Sequence, residues 1–570
     1  MTALTAITSL FATRAAASRH IPGGQPLYQT GDAADALFLV VAGAFAVFRT
    51  IDGNRAMLGI VRPGEIVGES AVLAATSRTA TVVALRDSEV TVIPAETFFK
   101  SARRSPEAMT EIAQLLIQRA RSAGAARRYE PPKMIALAGL SPSIDVDALT
   151  RRLAMAVRKQ GKTVTVLDHE AVDQPPSWWS TIEASHDIIL CAVPMDDDRW
   201  GAVCRRQADR MLVVGHGKDT PPAECSLCAG SALQAAGAVD LLLQHDANPC
   251  SSALWISAIT PRHLYHLTPG DDCARLARAL LGTGVALALS GGGARAFAHI
   301  GAVRALRRGG VEIDAVGGTS MGAIIAAGVA AGWDDREMVE RMRAAFVTTN
   351  PLDDIALPLV AMTRGAKVDR RLREHFGDQA IEDLPLSFFC VSADLGSGSH
   401  VAHRQGDLAA ALRASISLPG VLPPVLLGNQ VLVDGGTLLN LPTGLLRAEH
   451  DGTIVAVDVS RSQGLSPADV ARPHPLSRWL WSGAWRRGPP LVSILMRSAT
   501  IAAEPELRAA RDAADLYVMP EVGDIEIRNW RAFDRAIQAG DEAMSRALES
   551  LDRPVEALRR YREGSTDAPM

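Results

Sequence analysis

Two stretches of the chain repeat one plan: "VALALSGGGARAFAHIGAVRAL" at residues 285–306 and "VEIDAVGGTSMGAIIAAGVAAG" at residues 311–332. Each is a short apolar strand, a glycine-rich turn and an alanine-rich helical run. A strand that feeds straight into a helix, twice in succession, commits this region to parallel strands covered by helices. "PLSFFCVSADL", "ALRASISLPGVLPPVLLGNQVLVDGGTLLNLP" and "GTIVAVDVS" extend the same α/β pattern, so residues 275–550 read as one α/β domain.

That domain leaves half of a 570-residue chain unassigned, and a chain this long should hold about three or four cores. Residues 1–125 are patterned differently. "ALFLVVAGAFAVFRT" is strand-like and broken at Gly43, Asp52-Gly53 marks a hairpin, and a helical run follows Pro94. A compact β-barrel closed by helices fits this order. After a Pro-containing linker, residues 133–265 alternate strands ("MIALAGL", "TVTVLD", "HDIILCAVP", "RMLVVGHG", "VDLLLQHD") with helices, as in a small parallel α/β unit of Rossmann or P-loop type. Its first loop, "SPSIDVD", lacks the glycines and lysine of a triphosphate cradle, which makes the unit structural or regulatory.

Composition excludes some functions. Lys plus Arg (59) nearly balances Asp plus Glu (63), so charge gives no reason to invoke nucleic acid. Seven irregularly spaced cysteines read as reduced thiols. Cys225 and Cys228 lack a second close pair, and although His263 and His266 complete a metal set on paper, no metal is expected. No stretch is long and apolar enough to span a membrane, and the N-terminal residues read as an amphipathic helix, not a secretory signal. The expected location is the cytoplasm.

The chemistry sits in the glycine turns. Ser320 lies in a Gly-x-Ser-x-Gly frame between Gly318 and Gly322, where a strand must turn sharply into a helix. Gly291, Gly292 and Gly293 precede another helix and offer consecutive N–H groups to an oxyanion. A second reading makes that loop a dinucleotide turn with Asp314 holding a ribose. It lacks the Gly-x-Gly-x-x-Gly spacing and leaves Ser320 and Asp434 unexplained.

"SGGGARAFAHIG", "GGTSMGAI", "ASISLPGVLPP" and "VDGGTLLNLP" resemble, in order and spacing, the motifs of patatin-like phospholipases, and the chain as a whole resembles their neuropathy-target-esterase branch. The resemblance implies a Ser-Asp dyad of Ser320 as nucleophile and Asp434 as base. It implies an oxyanion hole from Gly291, Gly292, Gly293, Ala294 and Arg295, with phospholipid or lysophospholipid esters as substrates and no catalytic cofactor or metal. His299 reads as a helix residue facing the sheet. Arg295 serves either to orient a head group or to pin its loop. Ala296 stands where the family usually carries glycine, which strains the loop if φ is positive and is harmless if the position is helical. That departure keeps open an alternative: a cyclic-nucleotide sensor with a weakened hydrolase domain.

"GESAVLAATSRTATV" resembles the phosphate cassette of cyclic-nucleotide-binding domains. It implies a cAMP or cGMP site built from Gly68, Glu69, Ser70, Arg78 and Thr79, with Arg78 on the phosphate and Glu69 on the ribose. Trp481 and Trp485, among arginines in "SRWLWSGAWRRGPPLVSILMR", suit either a core-packed helix or peripheral contact with the inner membrane face.

Overall fold

The computed structural model describes residues 10–11, 16–51, 54–122, 132–195, 198–222, 239–247, 249–271, 273–348, 353–356, 360–460 and 504–559. The chain is multidomain, and two compact units divide it near residues 277 and 278. The expected Asp52-Gly53 turn, the Cys225/Cys228 pair, the N-terminal helix and the tryptophan–arginine stretch lie outside the described residues.

In the C-terminal unit an eight-stranded sheet carries the site. Its strands are β1 (Val285–Leu289), β2 (Ile313–Thr319), β3 (Ser387–Asp394), β4 (Ser399–His403), β5 (Val425–Leu427), β6 (Gln430–Asp434), β7 (Thr453–Val457) and β8 (Leu516–Val518). They run in the order β5-β6-β3-β2-β1-β7-β8, with β4 paired on β3. From β3 to β8 neighbouring strands are parallel, whereas β4, β5 and β6 join antiparallel. The central strand β1, "VALAL", is buried at every residue, as a parallel strand covered on both faces must be. Helices α1 (Ala298–Arg308) and α2 (Met321–Ala330) follow β1 and β2. Every residue of α2 is buried, which its uniformly apolar sequence "MGAIIAAGVA" requires.

Asp314 fixes the start of this sheet. Its carboxylate takes three hydrogen bonds from Arg278 (2.6–3.1 Å) and the Val285 N–H (3.0 Å). It therefore ties the beginnings of β1 and β2 together, at the end of the sheet away from the glycine loop. A ribose acceptor belongs at the other end, so the dinucleotide reading fails on placement.

The N-terminal unit holds two of the expected domains. The first is a pair of four-stranded antiparallel sheets followed by helices Ala95–Ala102 and Pro106–Ser122. Phe45–Ile51 and Asn54–Val61 pair with Ile51 opposite Asn54, so two residues connect them. The second is a six-stranded parallel sheet in which the strand Met134–Gly139 lies between Ile188–Val193 and Arg210–His216. The helix after that strand is capped by Asp145, whose carboxylate accepts the Ala148 N–H at 2.8 Å. A negative charge thus occupies the place where a phosphate-binding loop leaves its N–H groups open. The two domains meet through a buried Arg86–Glu183 ion pair and an Arg206–Asp87 pair at 3.1 Å.

Candidate active site

Ser320 links β2 to α2 with φ 55° and ψ −131°, a backbone shape that L-residues rarely adopt. Such a residue is strained by about 1–3 kcal/mol and persists only where its surroundings over-determine it. Several contacts do so here. Its N–H donates to Ser415 Oγ (2.9 Å), which itself donates to the Val391 carbonyl (2.6 Å). The neighbouring Thr319 hydroxyl donates to the Leu439 carbonyl at 3.0 Å. At Gly322 a Cβ would lie 2.4 Å from the Ser290 carbonyl, so glycine is needed there for close approach between the two turns.

Asp434 ends β6, and it meets Ser320 across 114 residues of sequence: Ser320 Oγ donates to Asp434 Oδ2 at 2.6 Å. The other carboxylate oxygen accepts the Gly436 N–H at 2.8 Å, and the side chain is 3% exposed. Burial pushes its pKa up to about 6, against the opposing pull of the Ser320 and Gly436 hydrogen bonds. A carboxylate made this basic, held on a hydroxyl, can take that hydroxyl's proton. No imidazole intervenes. His299 donates from Nε2 to the Ser290 carbonyl (2.8 Å), and burial pushes its pKa down to about 4, which keeps it neutral.

The glycine loop faces this pair. Gly291, Ala294 and Arg295 spend their N–H groups on the carbonyls of Asn440 (3.2 Å), Ile527 (2.9 Å) and Gly292 (3.2 Å). Among the described residues, no carbonyl takes the N–H of Gly292 or Gly293. Gly292 is extended at φ 174°, whereas Gly293 has φ 57° and leaves no room for a Cβ, which would lie 2.3 Å from the Ile527 carbonyl. Arg295 pins the loop, donating from Nε to the Ile525 carbonyl at 2.6 Å. Ala296 lies inside the 3₁₀ turn Gly293–Phe297 and is not among the residues of positive φ, so alanine fits it without strain.

Two positioning side chains were not singled out from sequence. Asn440 receives the Gly291 N–H on its carbonyl and donates from Nδ2 to the Gly291 carbonyl (3.4 Å), clasping the glycine loop to the segment after Asp434. Ser415 orients the Ser320 backbone. Both stand inside the quoted motifs, at Asn of "DGGTLLN" and the first Ser of "ASIS". Beside α2 a small cavity is lined mostly by apolar side chains, among them Ile324, Phe346, Phe376 and Ile416, together with Arg371 and His375. Ile324 stands one helical turn beyond Ser320 and Ile416 adjoins Ser415.

In the N-terminal domain, Gly68 adopts φ 90° and opens the short helix Glu69–Leu73. Arg78 is 2% exposed. It donates to the Gly68 carbonyl (2.9 Å) and the Ala36 carbonyl (2.6 Å) and stacks on Tyr28, 4.3 Å from the ring centroid. Glu69 is buried and accepts from Ser70 Oγ at 3.0 Å, while Thr79 is exposed. Among the described residues no three His, Cys, Asp or Glu side chains are grouped as metal ligands would be.

Residues 287–447 match the patatin-like phospholipase family and residues 18–105 the cyclic nucleotide-binding domain. An uncharacterised NTE family protein of Mycobacterium tuberculosis is 33% identical over 93% of this chain and 92% of its own. The chain belongs to the NTE family. Patatin-like phospholipase domain-containing protein 6 of Homo sapiens is 27% identical over 91% of this chain, which spans 43% of that longer protein. Patatin-like phospholipase domain-containing protein 7 of Mus musculus is likewise 27% identical, over 91% of this chain and 44% of its own length. The NTE family match thus runs through both the nucleotide-binding and the patatin-like domains.

The backbone strain and the buried carboxyl each have a measurable consequence. Ser320→Gly should remove the strain and raise unfolding stability by about 1 kcal/mol or more, whereas Ser320→Ala should leave it in place. Equal melting temperatures for the two variants would contradict this. For Asp434, a pKa raised in the native state means that stability present at low pH is lost as pH rises from 3.8 through about 6. That interval corresponds to roughly 3 kcal/mol. Asp434→Asn carries no charge to bury, so it should melt above the wild type at pH 8 and converge with it near pH 4. A difference independent of pH would refute the assignment.

Proposed function

We propose that this NTE family chain hydrolyses carboxylic esters of phospholipids or lysophospholipids through an acyl-Ser320 intermediate. The observation that carries the reading is the 2.6 Å hydrogen bond from Ser320 to a buried Asp434 whose pKa is pushed up to about 6. Ser320 Oγ attacks the ester carbonyl as its proton passes to Asp434. The tetrahedral oxyanion settles against the N–H groups of Gly292 and Gly293, each such donor contributing about 3 kcal/mol to the transition state. Asp434 then protonates the departing alkoxide. In the second half Asp434 takes a proton from the water that attacks the acyl-enzyme, and returns it to Ser320 Oγ as the C–O bond breaks and the fatty acid leaves. The unstrained setting of Ala296 removes the ground for a weakened hydrolase and favours the enzyme over the sensor-only alternative.

Cyclic-nucleotide control, by cAMP or cGMP at Gly68, Glu69, Ser70, Arg78 and Thr79, is the regulatory half of the proposal. The match of residues 18–105 supports a nucleotide site. The burial of Arg78 adds a condition: a cyclic phosphate must uncover the guanidinium before contacting it. Among the described residues no helix is long and apolar enough to cross a membrane, and a cytoplasmic protein meeting its lipid peripherally is the proposed setting.

Turnover of lysophosphatidylcholine and of a short-chain nitrophenyl ester should fall roughly a thousandfold or more in Ser320→Ala and Asp434→Asn. A fluorophosphonate should label Ser320, and kcat/KM should rise with pH through an apparent pKa of about 6, as Asp434 ionises. Retained turnover in either variant would overturn the dyad. Calorimetry with cAMP and cGMP should show binding that Arg78→Ala weakens about ten- to hundredfold. Absence of binding at millimolar nucleotide would refute the regulatory half.

A further inference from the structure

Three glycines in a row give the loop at Gly291, Gly292 and Gly293 no side chain of its own to hold it, and glycine is the most permissive residue in φ and ψ. The direction of each N–H must therefore be set from outside. A trans peptide is planar, so its C=O and the N–H of the next residue point opposite ways, and whatever holds the carbonyl also aims that N–H. None of the described peptide bonds is cis. Three successive peptide planes of the loop are held in this manner. The Gly292 carbonyl accepts the Arg295 N–H (3.2 Å), which aims the Gly293 N–H the opposite way. Asn440 Nδ2 donates to the Gly291 carbonyl (3.4 Å), which aims the Gly292 N–H away from Asn440. The first plane begins at Ser290, and there the donor is His299 Nε2, at 2.8 Å.

Ser290 follows β1 and is fully buried. Its N–H donates to the Val457 carbonyl (3.1 Å), and its Oγ accepts the Val459 N–H (2.9 Å), so the end of β7 holds two of its polar groups. Its carbonyl takes the His299 bond and lies where a Cβ at position 322 would come within 2.4 Å. On the far edge of the same peptide the Gly291 N–H donates to the Asn440 carbonyl at 3.2 Å. His299 and Asn440 thus hold one peptide plane from its two sides. A carbonyl can only accept, so the His299 proton sits on Nε2. His299 lies in the first turn of α1, nine residues beyond Ser290, and is fully buried. With its pKa pushed down to about 4 by burial, the ring stays a neutral donor while Asp434 titrates near 6.

We infer that His299 is a positioning residue for the hydrolysis: its Nε2–H fixes the Ser290–Gly291 peptide and thereby aims the oxyanion-binding N–H groups of Gly292 and Gly293. It acts through the loop and not on the substrate. The inference rests on the ester-hydrolase reading. A histidine kept for packing alone would be replaced equally well by leucine in so buried a place. What packing does not require is a donor at the Nε2 position, directed at the carbonyl that opens the glycine loop.

Three substitutions in the full chain separate the donor from the bulk. Glutamine places an amide N–H close to where Nε2 lies, asparagine places one near Nδ1, and leucine keeps the bulk without a donor. On a short-chain nitrophenyl ester, kcat of His299→Leu and His299→Asn should fall about ten- to a hundredfold while KM stays within about threefold, because an oxyanion donor acts in the transition state. His299→Gln should recover most of that loss. The rise of kcat/KM through an apparent pKa of about 6 should survive in all three, since Asp434 is untouched. Should His299→Leu fail to fold, the comparison of asparagine with glutamine carries the test. Nitrogen NMR of the histidine-labelled chain adds a readout that needs no turnover: the His299 ring, found by its loss in His299→Gln, should carry its proton on Nε2 at neutral pH. A ring protonated on Nδ1 overturns the inference. A wild type that turns over no ester removes the hydrolase reading and this role with it. An active wild type whose leucine or asparagine variant is as fast as the glutamine one removes the role alone.

Discussion

One hydrogen bond organises the C-terminal unit: the hydroxyl of Ser320 on the carboxylate of Asp434. A lone carboxylate is a weak base in water, and what makes this one basic is the loss of water around it. The requirement for dryness explains the surrounding architecture. Asp434 needs a strand that ends inside the sheet, and β6 supplies it by pairing antiparallel to β3 so that Asp434 lies opposite Ser392. Ser320 needs the end of a parallel strand, and β2 supplies that two strands away in the order of the sheet. A wholly parallel sheet would send the chain through a helix before Asp434. The antiparallel β5–β6 hairpin instead brings Asp434 directly to the level of Ser320.

Holding that bond takes a second set of interactions, which stabilise the shape rather than the chemistry. The positive φ of Ser320 aims its hydroxyl out of the strand, and Ser415, Thr319 and the tight packing at Gly322 hold that conformation against relaxation. Asn440 joins the glycine loop to the Asp434 segment by two bonds to Gly291. Ser320, Asp434 and the glycine loop are thus mutually tethered. The N–H groups of Gly292 and Gly293 keep their direction because those on either side are committed to protein carbonyls.

Much of this was legible in the sequence because the chemistry is carried by short motifs that punctuate strands. The two strand–turn–helix repeats fixed the parallel core, and Ser320 and Asp434 stood at turn positions that are hard to explain otherwise. The family resemblance was legible for the same reason and is matched over nearly the whole chain. What remained hidden depends on tertiary pairing. Five loop residues carry candidate N–H donors, and only the fold reveals that Gly291, Ala294 and Arg295 have spent theirs on Asn440, Ile527 and Gly292. Asn440 and Ser415 pass in sequence for ordinary loop and helix residues. Arg78 is plain as a cationic residue in its cassette, yet its burial under Tyr28 depends on a strand some fifty residues earlier.

Asp434 is out of solvent, and its ionised form is the costly one. The rise in its pKa has a ceiling, because a carboxyl pushed far above neutral pH would be protonated and could accept nothing. The Gly436 N–H, fixed on the second oxygen of Asp434, limits the rise from the protein side. The same N–H keeps the other oxygen turned toward Ser320. It therefore bears on both the basicity of Asp434 and its direction, and among the described residues no imidazole stands between Asp434 and Ser320.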